Sequence, residues 1–546
     1  MRFIGIDVGT GSARAGIFDA DGRMLASAKH PIRIWRAPGE RVEQSSDDIW
    51  NAVAAATRAA LADAARVAPG VAETIAGIGF DATCSLVVLD AAGAPLSVDP
   101  EGGAGRNVMV WMDHRATGQA ARINAGEHEV LRYVGGAISP EMEIPKILWL
   151  KEEMPETFAA AGAFMDLADF LTWRATGSAV RSACTVTCKW TYLPHAGGWD
   201  AAFLGAIGLG ALAEEGFARI GAEVAEIGAP LGQGLSAAAA QDLGLPPGIS
   251  VGAALIDAHA GGVGTLGGRG PEGTALDPRD QIAAILGTSS CTMTVGDAPV
   301  FVPGVWGPYH GAMLPGLWLN EGGQSAFGAA LDQLVAMHPA AAAAAARAEA
   351  EGRSLYALLE AEAVRLAGDA GRAALLARSV HVVPEVLGNR APEADPAARA
   401  VIAGLGTGAD EESLVAWFVA VLCGLGYGLG LIVEAQRAAG MGPKMLVVSG
   451  GAARSALLRR ILADATGCEV ALPAAEEPVL LGAAMLGMVA SGRCASLSEA
   501  AAGVARLSEV LVPSGGEVAA FHARKRAVFA RLKAADREVR ALMVEG

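Results

Sequence analysis

The sequence predicts an α/β protein of two large domains with a ligand cleft between them, and three observations carry that prediction. The chain has 546 residues, more than one hydrophobic core usually organises, and 52% are hydrophobic against 18% charged, enough apolar material for two cores. A strand-like run, a glycine-threonine turn and a second strand-like run occur twice, as FIGIDVGTGSARAGIFD near the N-terminus and IAAILGTSSCTMTV in the middle. Further strand and helix signals follow each copy, and no low-complexity linker separates the halves, so the two units are expected to share a cleft.

In the first hundred residues FIGIDV, AGIFD and MLASAKH read as strands, the last two joined at Asp21-Gly22, a strong hairpin signal. Ser45 or Ser46 starts a helix through IWNAVAAATRAALADAARV, with Asp47 and Asp48 in its first turn, where carboxylates suit the helix dipole. IAGIGF and SLVVLD are two further strands with the loop DATCS between them, which gives a βββαβ opening. In the second half IAAILG, SCTMTV and the VFVPGVWG region read as strands, and residues 326–366 as alanine- and leucine-rich helix. MLVVS reads as a buried strand, Gly450-Gly451 as a tight turn, SALLRRILADAT as a helix and CEVALP as a strand. The stretch VAAFHARKRAVFARLKAADREVRALM reads as a surface helix rich in both charge signs. The domain boundary is expected just after IDAHAGGVG, giving units 1–265 and 266–546, with GRGPEGTALDPRDQ as the crossing loop.

Several function classes are disfavoured. The net charge of −16 leaves no basic stripe to displace counterions, so nucleic acid is not an expected partner. The seven cysteines (Cys84, Cys184, Cys188, Cys291, Cys423, Cys468 and Cys494) contain no CxxC pair and read as reduced thiols, which fits a cytoplasmic protein. At the N-terminus Asp7 interrupts a very short apolar run, unlike a signal peptide. Leu414 to Val433 carries no charge and imitates a membrane span, but it holds Gly424, Gly426, Gly428 and Gly430 and has glutamates rather than basic residues at its ends. It is therefore expected to be a buried helix, with no membrane partner.

The two turns carry the chemistry. Gly9-Thr10-Gly11-Ser12 and Gly287-Thr288-Ser289-Ser290 sit at matching places in the two units. Such a turn aims backbone N–H groups and hydroxyls into one concavity, as anionic phosphate oxygens require. No Gly-Lys-Ser/Thr occurs anywhere, so a Walker A loop is absent and the turns are the candidate phosphate holders. Two facing half-sites with a nucleotide between them follow from that reading.

Six segments, DVGTGSARAGIFD, IDAHAGGVG, LGTSSC, EGGQSAFG, GYGLGLIVEAQ and VVSGGAARSALLRRILAD, resemble the FGGY family of carbohydrate kinases and lie within residues 4–490. The resemblance implies two ribonuclease-H-like domains of the actin and hexokinase ATPase type, closing on ATP, Mg²⁺ and a sugar or polyol. It implies Asp257 as the catalytic base that accepts a proton from the sugar hydroxyl while the oxygen attacks the γ-phosphorus; an N-cap role is the alternative. From pentulose-kinase members it implies Ala82, Lys189, Asp257 and Glu321 as sugar contacts, with Cys84 in the same loop as Ala82. Asp113, near Trp111 and His114, also resembles a sugar-pocket residue, or forms an ion pair with Arg115. Asp7 is placed to hold Mg²⁺ through water, or to cap its turn. Gly450 and Gly451 permit the close backbone approach that an adenosine site needs, and Ser455 stands where the family often has asparagine.

Thr83-Cys84-Ser85-Leu86-Val87 resembles the signature of the D-ribulokinase branch, which points to D-ribulose. Other kinases of the family, acting on L-ribulose, xylulose or a polyol such as ribitol, are the nearest alternatives. A non-catalytic nucleotide switch on an actin-like core is a remoter one, and a switch needs no sugar pocket. The formal GxGxxG at Gly262–Gly267 should follow the first strand of a βαβ unit to bind a dinucleotide; mid-chain, among 71 glycines, it reads as coincidence. Members of the family are often dimers, and a homodimer is an expectation on that ground alone.

Overall fold

The computed structural model describes residues 1–544. Strands β1 (Arg2–Gly9), β2 (Ser12–Asp19) and β3 (Met24–Pro31) form an antiparallel meander. Helix α1 (Ser46–Ala65) follows, capped by Ser45, whose hydroxyl accepts from the Asp48 N–H. Strand β4 (Ile75–Ala82) then lies parallel to β1 on the side away from β2. A five-stranded antiparallel sheet (35–37, 41–44, 86–90, 108–109 and 161–166) and the short helix α2 (Ala183–Lys189) intervene before the chain returns. Strands β5 (Ser250–Val251) and β6 (Leu255–Ile256) both pair parallel with β4, completing a sheet of order β5-β4-β1-β2-β3, and α3 (Asp257–Val263) leaves it.

The second unit repeats this plan. Strands β7 (Gln281–Leu286) and β8 (Ser290–Gly296) form an antiparallel hairpin, β9 (Trp306–His310) and β10 (Trp318–Gln324) extend it, and helices α4 (Gly328–Ala336), α5 (Ala341–Ala350) and α6 (Leu355–Ala367) follow. After α7 (Glu411–Ala438) come β11 (Met445–Ser449), α8 (Ala456–Thr466), β12 (Glu469–Pro473), α9 (Pro478–Ala490), β13 (Leu507–Leu511) and α10 (Gly516–Val544). The sheet order is β9-β10-β8-β7-β11-β12-β13, with β7, β11 and β12 parallel. Thus β7, β8, β10, β11 and β12 stand where β1, β2, β3, β4 and β5 stand in the first sheet. This is the ribonuclease-H-like core twice over, and each glycine-threonine turn is the tip of the first hairpin in its unit.

The units are not separate beads. Helix α9 lies in sequence between β12 and β13 of the second sheet but packs on the first: a Cβ at Gly79 would lie 1.9 Å from the Ala483 carbonyl, and one at Gly77 2.1 Å from that of Gly487. One apolar cluster runs from Phe3 and Leu255 through Met293 to Leu480 and Met485. The apolar stretch 414–433 lies within α7, capped by Asp410 and buried along most of its length in the core of the second unit.

Some elements differ from the sequence expectation. Residues 326–366 form three helices rather than one, because Pro339 and the left-handed Gly352 interrupt them. In VFVPGVWG only Trp306 onward is strand. Strand β4 continues through Asp81 and Ala82, which the sequence reading placed in a loop. Helix α10 lies against the second unit: Phe521, Lys525, Phe529 and Lys533 recur every four residues and are all nearly buried. The Lys525 ammonium donates to the Ala377 carbonyl at 2.9 Å and the Val380 carbonyl at 2.5 Å, so the charged pattern hid a docked face.

Candidate active site

Strand register builds the acidic end of the site. Asp7 lies opposite Asp81 in the parallel β1–β4 ladder, and β6 sets Leu255 beside Asp81 and Ile256 beside Ala82. The next residue, Asp257, opens α3. Three carboxylates therefore gather at the C-terminal ends of neighbouring parallel strands, the edge where open α/β sheets bind ligands. Asp7 accepts from Arg14 Nε at 2.6 Å, and Arg14 Nη1 donates to Glu477 at 2.7 Å. Asp81 is fully buried and no donor reaches either of its carboxylate oxygens. Burial, then Asp7 and Asp257, push the Asp81 carboxyl well above the ordinary range. Asp257 Oδ1 accepts from the Ala258 N–H at 2.7 Å, and burial reinforced by Asp7 lifts its carboxyl to about 6. The N-cap of α3 is Ile256, so Asp257 is its first helical residue and not its cap.

Both turns reach one cavity of about 490 Å³. Gly9, Thr10, Gly11 and Ser12 form one wall, and Ser289 enters from the other unit. The first turn is held from behind: Trp111 Nε1 donates to Thr10 Oγ1 at 3.0 Å and Gln44 Nε2 to the Thr10 carbonyl at 2.6 Å. The second is held by the start of α4, where the Gly328 N–H donates to the Gly287 carbonyl at 3.0 Å. Gly287 and Thr288 line a second cavity of about 590 Å³, together with Gly451, Ser455, Tyr356 and Phe418. The rings of Tyr356 and Phe418 stack at 6.0 Å and 14°, a flat apolar surface fit for a planar base. The second turn is thus the partition between the two cavities.

Around that second cavity the two glycines divide the work. Gly450 is left-handed, and a Cβ there would meet the Leu286 carbonyl at 2.6 Å, so only glycine closes the turn. At Gly451 the space is open, leaving the backbone accessible from the cavity. Ser455 borders the cavity and caps α8, its oxygen accepting from the Leu458 N–H at 2.9 Å.

At the other end of the cleft Lys189, the last residue of α2, faces Glu321 of β10, Nζ to Oε2 3.9 Å, from the opposite unit. Burial would raise the Glu321 carboxyl, but Lys189, then His259 and Arg390, hold it at about 2. Burial lowers the Lys189 ammonium, yet Glu321 together with Cys84, Tyr309 and Cys188 outweighs it and the net direction is up. The ammonium of Lys189 and the guanidinium of Arg390 lie 5.5 and 5.4 Å from the Trp306 ring, giving this end a cationic, aromatic wall. Cys84 lines the same cavity.

Two sequence-based assignments need correction. Ala82 does not line the cavity: strand alternation sends its methyl into the core, and Thr83 and Cys84 present themselves to the cleft instead. Asp113 is fully buried away from the cleft, its carboxylate accepting from the Val42 N–H at 2.7 Å and from Arg115 Nη2 at 2.6 Å. It is the structural partner of Arg115, whose Nη2 also reaches Glu43 at 2.7 Å. Gly262 to Gly267 follow a strand only through the helix α3 and carry no dinucleotide fingerprint. Asp81, Arg14, Glu141 and Arg390 border the site or its carboxylates without having been singled out from sequence. Asp81 lies in the DATCS segment, but only the register of β4 against β1 shows that it meets Asp7.

A divalent cation suits the acidic end. The donors are all oxygens, and Asp81 offers two buried oxygens with no partner, the chemistry of a hard ion such as Mg²⁺. Among the described residues no three such side chains converge closely enough to ligate an ion directly. Asp7 and Asp81 would hold it through water, and its chemistry there would be to neutralise phosphate charge.

Comparison with known proteins defines the class. Residues 2–264 match the N-terminal domain and residues 282–491 the C-terminal domain of the FGGY family of carbohydrate kinases, and the chain belongs to that family. An FGGY carbohydrate kinase domain-containing protein of Danio rerio is 45% identical over 99% of both chains. A D-ribulokinase of Saccharomyces cerevisiae is 36% identical over 90% of this chain and 72% of its own length. The crystal structure of xylulose kinase from Rhodospirillum rubrum superposes with a TM-score of 0.78, at 22% identity and 99% coverage of both chains, which establishes the shared fold. The protein is a carbohydrate kinase.

Proposed function

We propose that this chain is an ATP-dependent pentulose kinase that converts D-ribulose to D-ribulose 5-phosphate. One observation carries the reading: Asp257, with its carboxyl near 6, shares a single cavity with the Lys189–Glu321 pair and with both glycine-threonine turns. Lys189 and Glu321 supply a donor and an acceptor for sugar hydroxyls from opposite sides of the cleft. The stacked Tyr356 and Phe418 receive the adenine, Gly451 and Ser455 border the ribose, and the turns take the phosphates. The Asp257 carboxylate accepts the proton of the terminal sugar hydroxyl as its oxygen forms the new bond to the γ-phosphorus. The bond from that phosphorus to the bridging oxygen breaks, and ADP leaves with the electron pair. Mg²⁺ held near Asp7 and Asp81 would offset the phosphate charge. The choice of D-ribulose rests on the Thr83–Val87 segment and on the similarity to the yeast D-ribulokinase. The seven free thiols agree with a cytoplasmic enzyme.

The test is ADP release with MgATP against D-ribulose, L-ribulose, D-xylulose, L-xylulose, ribitol and glycerol. D-Ribulose is expected to give the highest kcat/KM. Preference for another member would keep the kinase mechanism and discard the Thr83–Val87 segment as a specificity marker. ADP release indifferent to every sugar would favour a nucleotide switch.

A further inference from the structure

His259 does not line the cleft. It is fully buried in the first turn of α3, two residues beyond Asp257, and its ring lies between two partners. On one side Cys184 Sγ, from α2, lies 3.1 Å from Nδ1. On the other, Nε2 faces Glu321 Oε2 at 3.8 Å, across the boundary between the two units. Both atoms that face this gap are buried and have no hydrogen-bond partner. The sulfur of Cys184 also accepts from the N–H of Ile256, the residue before the base, at 3.3 Å.

The proton positions follow from charge. Glu321 is held ionised by Lys189, and an ionised oxygen repels a lone pair but attracts an N–H. Nε2 therefore carries a hydrogen, and in the neutral imidazole that leaves Nδ1 as an acceptor. Burial pushes the Cys184 thiol well up, so it keeps the S–H that Nδ1 can accept. We propose that Cys184 and His259 are positioning residues: the thiol fixes the Nε2–H tautomer of His259, and that N–H draws Glu321 into register with Lys189 as the two units close on the sugar. The 3.8 Å separation is the distance that closure takes up, and the relay ties the glutamate of one unit to the helix that carries the base in the other.

The proposal rests on the reading of Lys189 and Glu321 as sugar contacts, and its test separates the two. In the full-length enzyme His259→Leu should raise the KM for D-ribulose by roughly 10- to 100-fold, the weight of one hydrogen bond to a charged group, while the KM for ATP moves less than about twofold. His259→Gln, whose amide nitrogen reaches the Nε2 position, should recover most of the loss, and Cys184→Ser should be milder than Cys184→Ala. Should His259→Leu fail to fold, His259→Gln against His259→Asn makes the same comparison, because the asparagine amide reaches only as far as Nδ1. In ¹⁵N-histidine-labelled protein the resonances lost in His259→Gln should show a protonated Nε2 and a bare Nδ1. A bare Nε2, or an unchanged sugar KM in His259→Leu, overturns the relay. The tautomer is read without turnover, so a protonated Nε2 in a chain that phosphorylates no sugar would support the relay and overturn the kinase reading instead.

Discussion

At the scale of the residue, the site turns on one carboxyl whose surroundings oppose its charge. Asp257 is lifted from an ordinary 3.8 to about 6 by burial and by Asp7. A general base works only as the carboxylate, so kcat/KM should fall about tenfold per unit as pH drops below about 6, and level off above it. Asp257→Asn should cut kcat on the order of 10²–10⁴-fold while ATP still binds, as isothermal titration would read. The same shift has a consequence for stability, of opposite sense. Because the folded state holds this proton more tightly than the unfolded chain, its contribution favours the fold at low pH and is lost as pH rises from about 4 through about 6. At pH 8 the asparagine variant should therefore melt higher than the parent, by an amount on the order of 1 kcal/mol, since the side chain still meets cleft water. A variant that is both active and unchanged in melting temperature would remove Asp257 from the role of base.

At the scale of the element, the joint between strand and helix matters most. Helix α9 touches the first sheet backbone to backbone, and a Cβ added at Gly79 would lie only 1.9 Å from the Ala483 carbonyl oxygen. Neither partner is the flexible end of a side chain, so Gly79→Ala must move the helix, which costs roughly 1–3 kcal/mol in overpacking. Gly118→Ala makes the control, as it sits on an exposed helix face with nothing within 4 Å of the new methyl, and should be neutral or stabilise by about 0.5 kcal/mol. Urea midpoints of the two variants decide it: equal midpoints would mean that the strand–helix contact admits a methyl group without cost.

The legibility of the sequence also divides at this scale. The glycine-threonine turns, the buried helix at 411–438 and the strands around them were readable because each is written in a contiguous run of residues. Asp81 carries no such signal: its meaning depends on standing opposite Asp7 across a parallel ladder, and register between distant strands has no local signature. Ala82 is a pocket residue only by the family resemblance, as the small residue of the DATCS segment; the alternation of β4 turns its methyl inward. For Asp113 the structure takes the ion-pair reading over the pocket one, a choice that the sequence leaves open. An aspartate two residues from an arginine looks the same in sequence whether it faces a ligand or, as here, pairs with Arg115 in the protein interior.

At the scale of the whole molecule, the placement of the sugar contacts makes binding and shape one event. Lys189 and His259 belong to the first unit and Glu321 to the second, yet their separations from Glu321 Oε2 across the boundary are 3.9 and 3.8 Å, too long for hydrogen bonds. A sugar that bridges Lys189 and Glu321 would draw the units together, expel water from the turns and strengthen every charge interaction between them. Nucleotide alone reaches the first unit only through its phosphates at the Gly9–Ser12 turn, because the stacked rings and Gly451 all lie in the second unit, so the sugar adds a further bridge. Small-angle scattering should therefore show a smaller radius of gyration with D-ribulose and a non-hydrolysable ATP analogue together than with the analogue alone. Glu321→Gln keeps a side chain of the same shape but loses the charge that attracts Lys189, so it should bind the analogue normally and compact much less when sugar is added. Full compaction in that variant would mean that the sugar closes the cleft through other groups, and would leave Glu321 with no part in joining the two units.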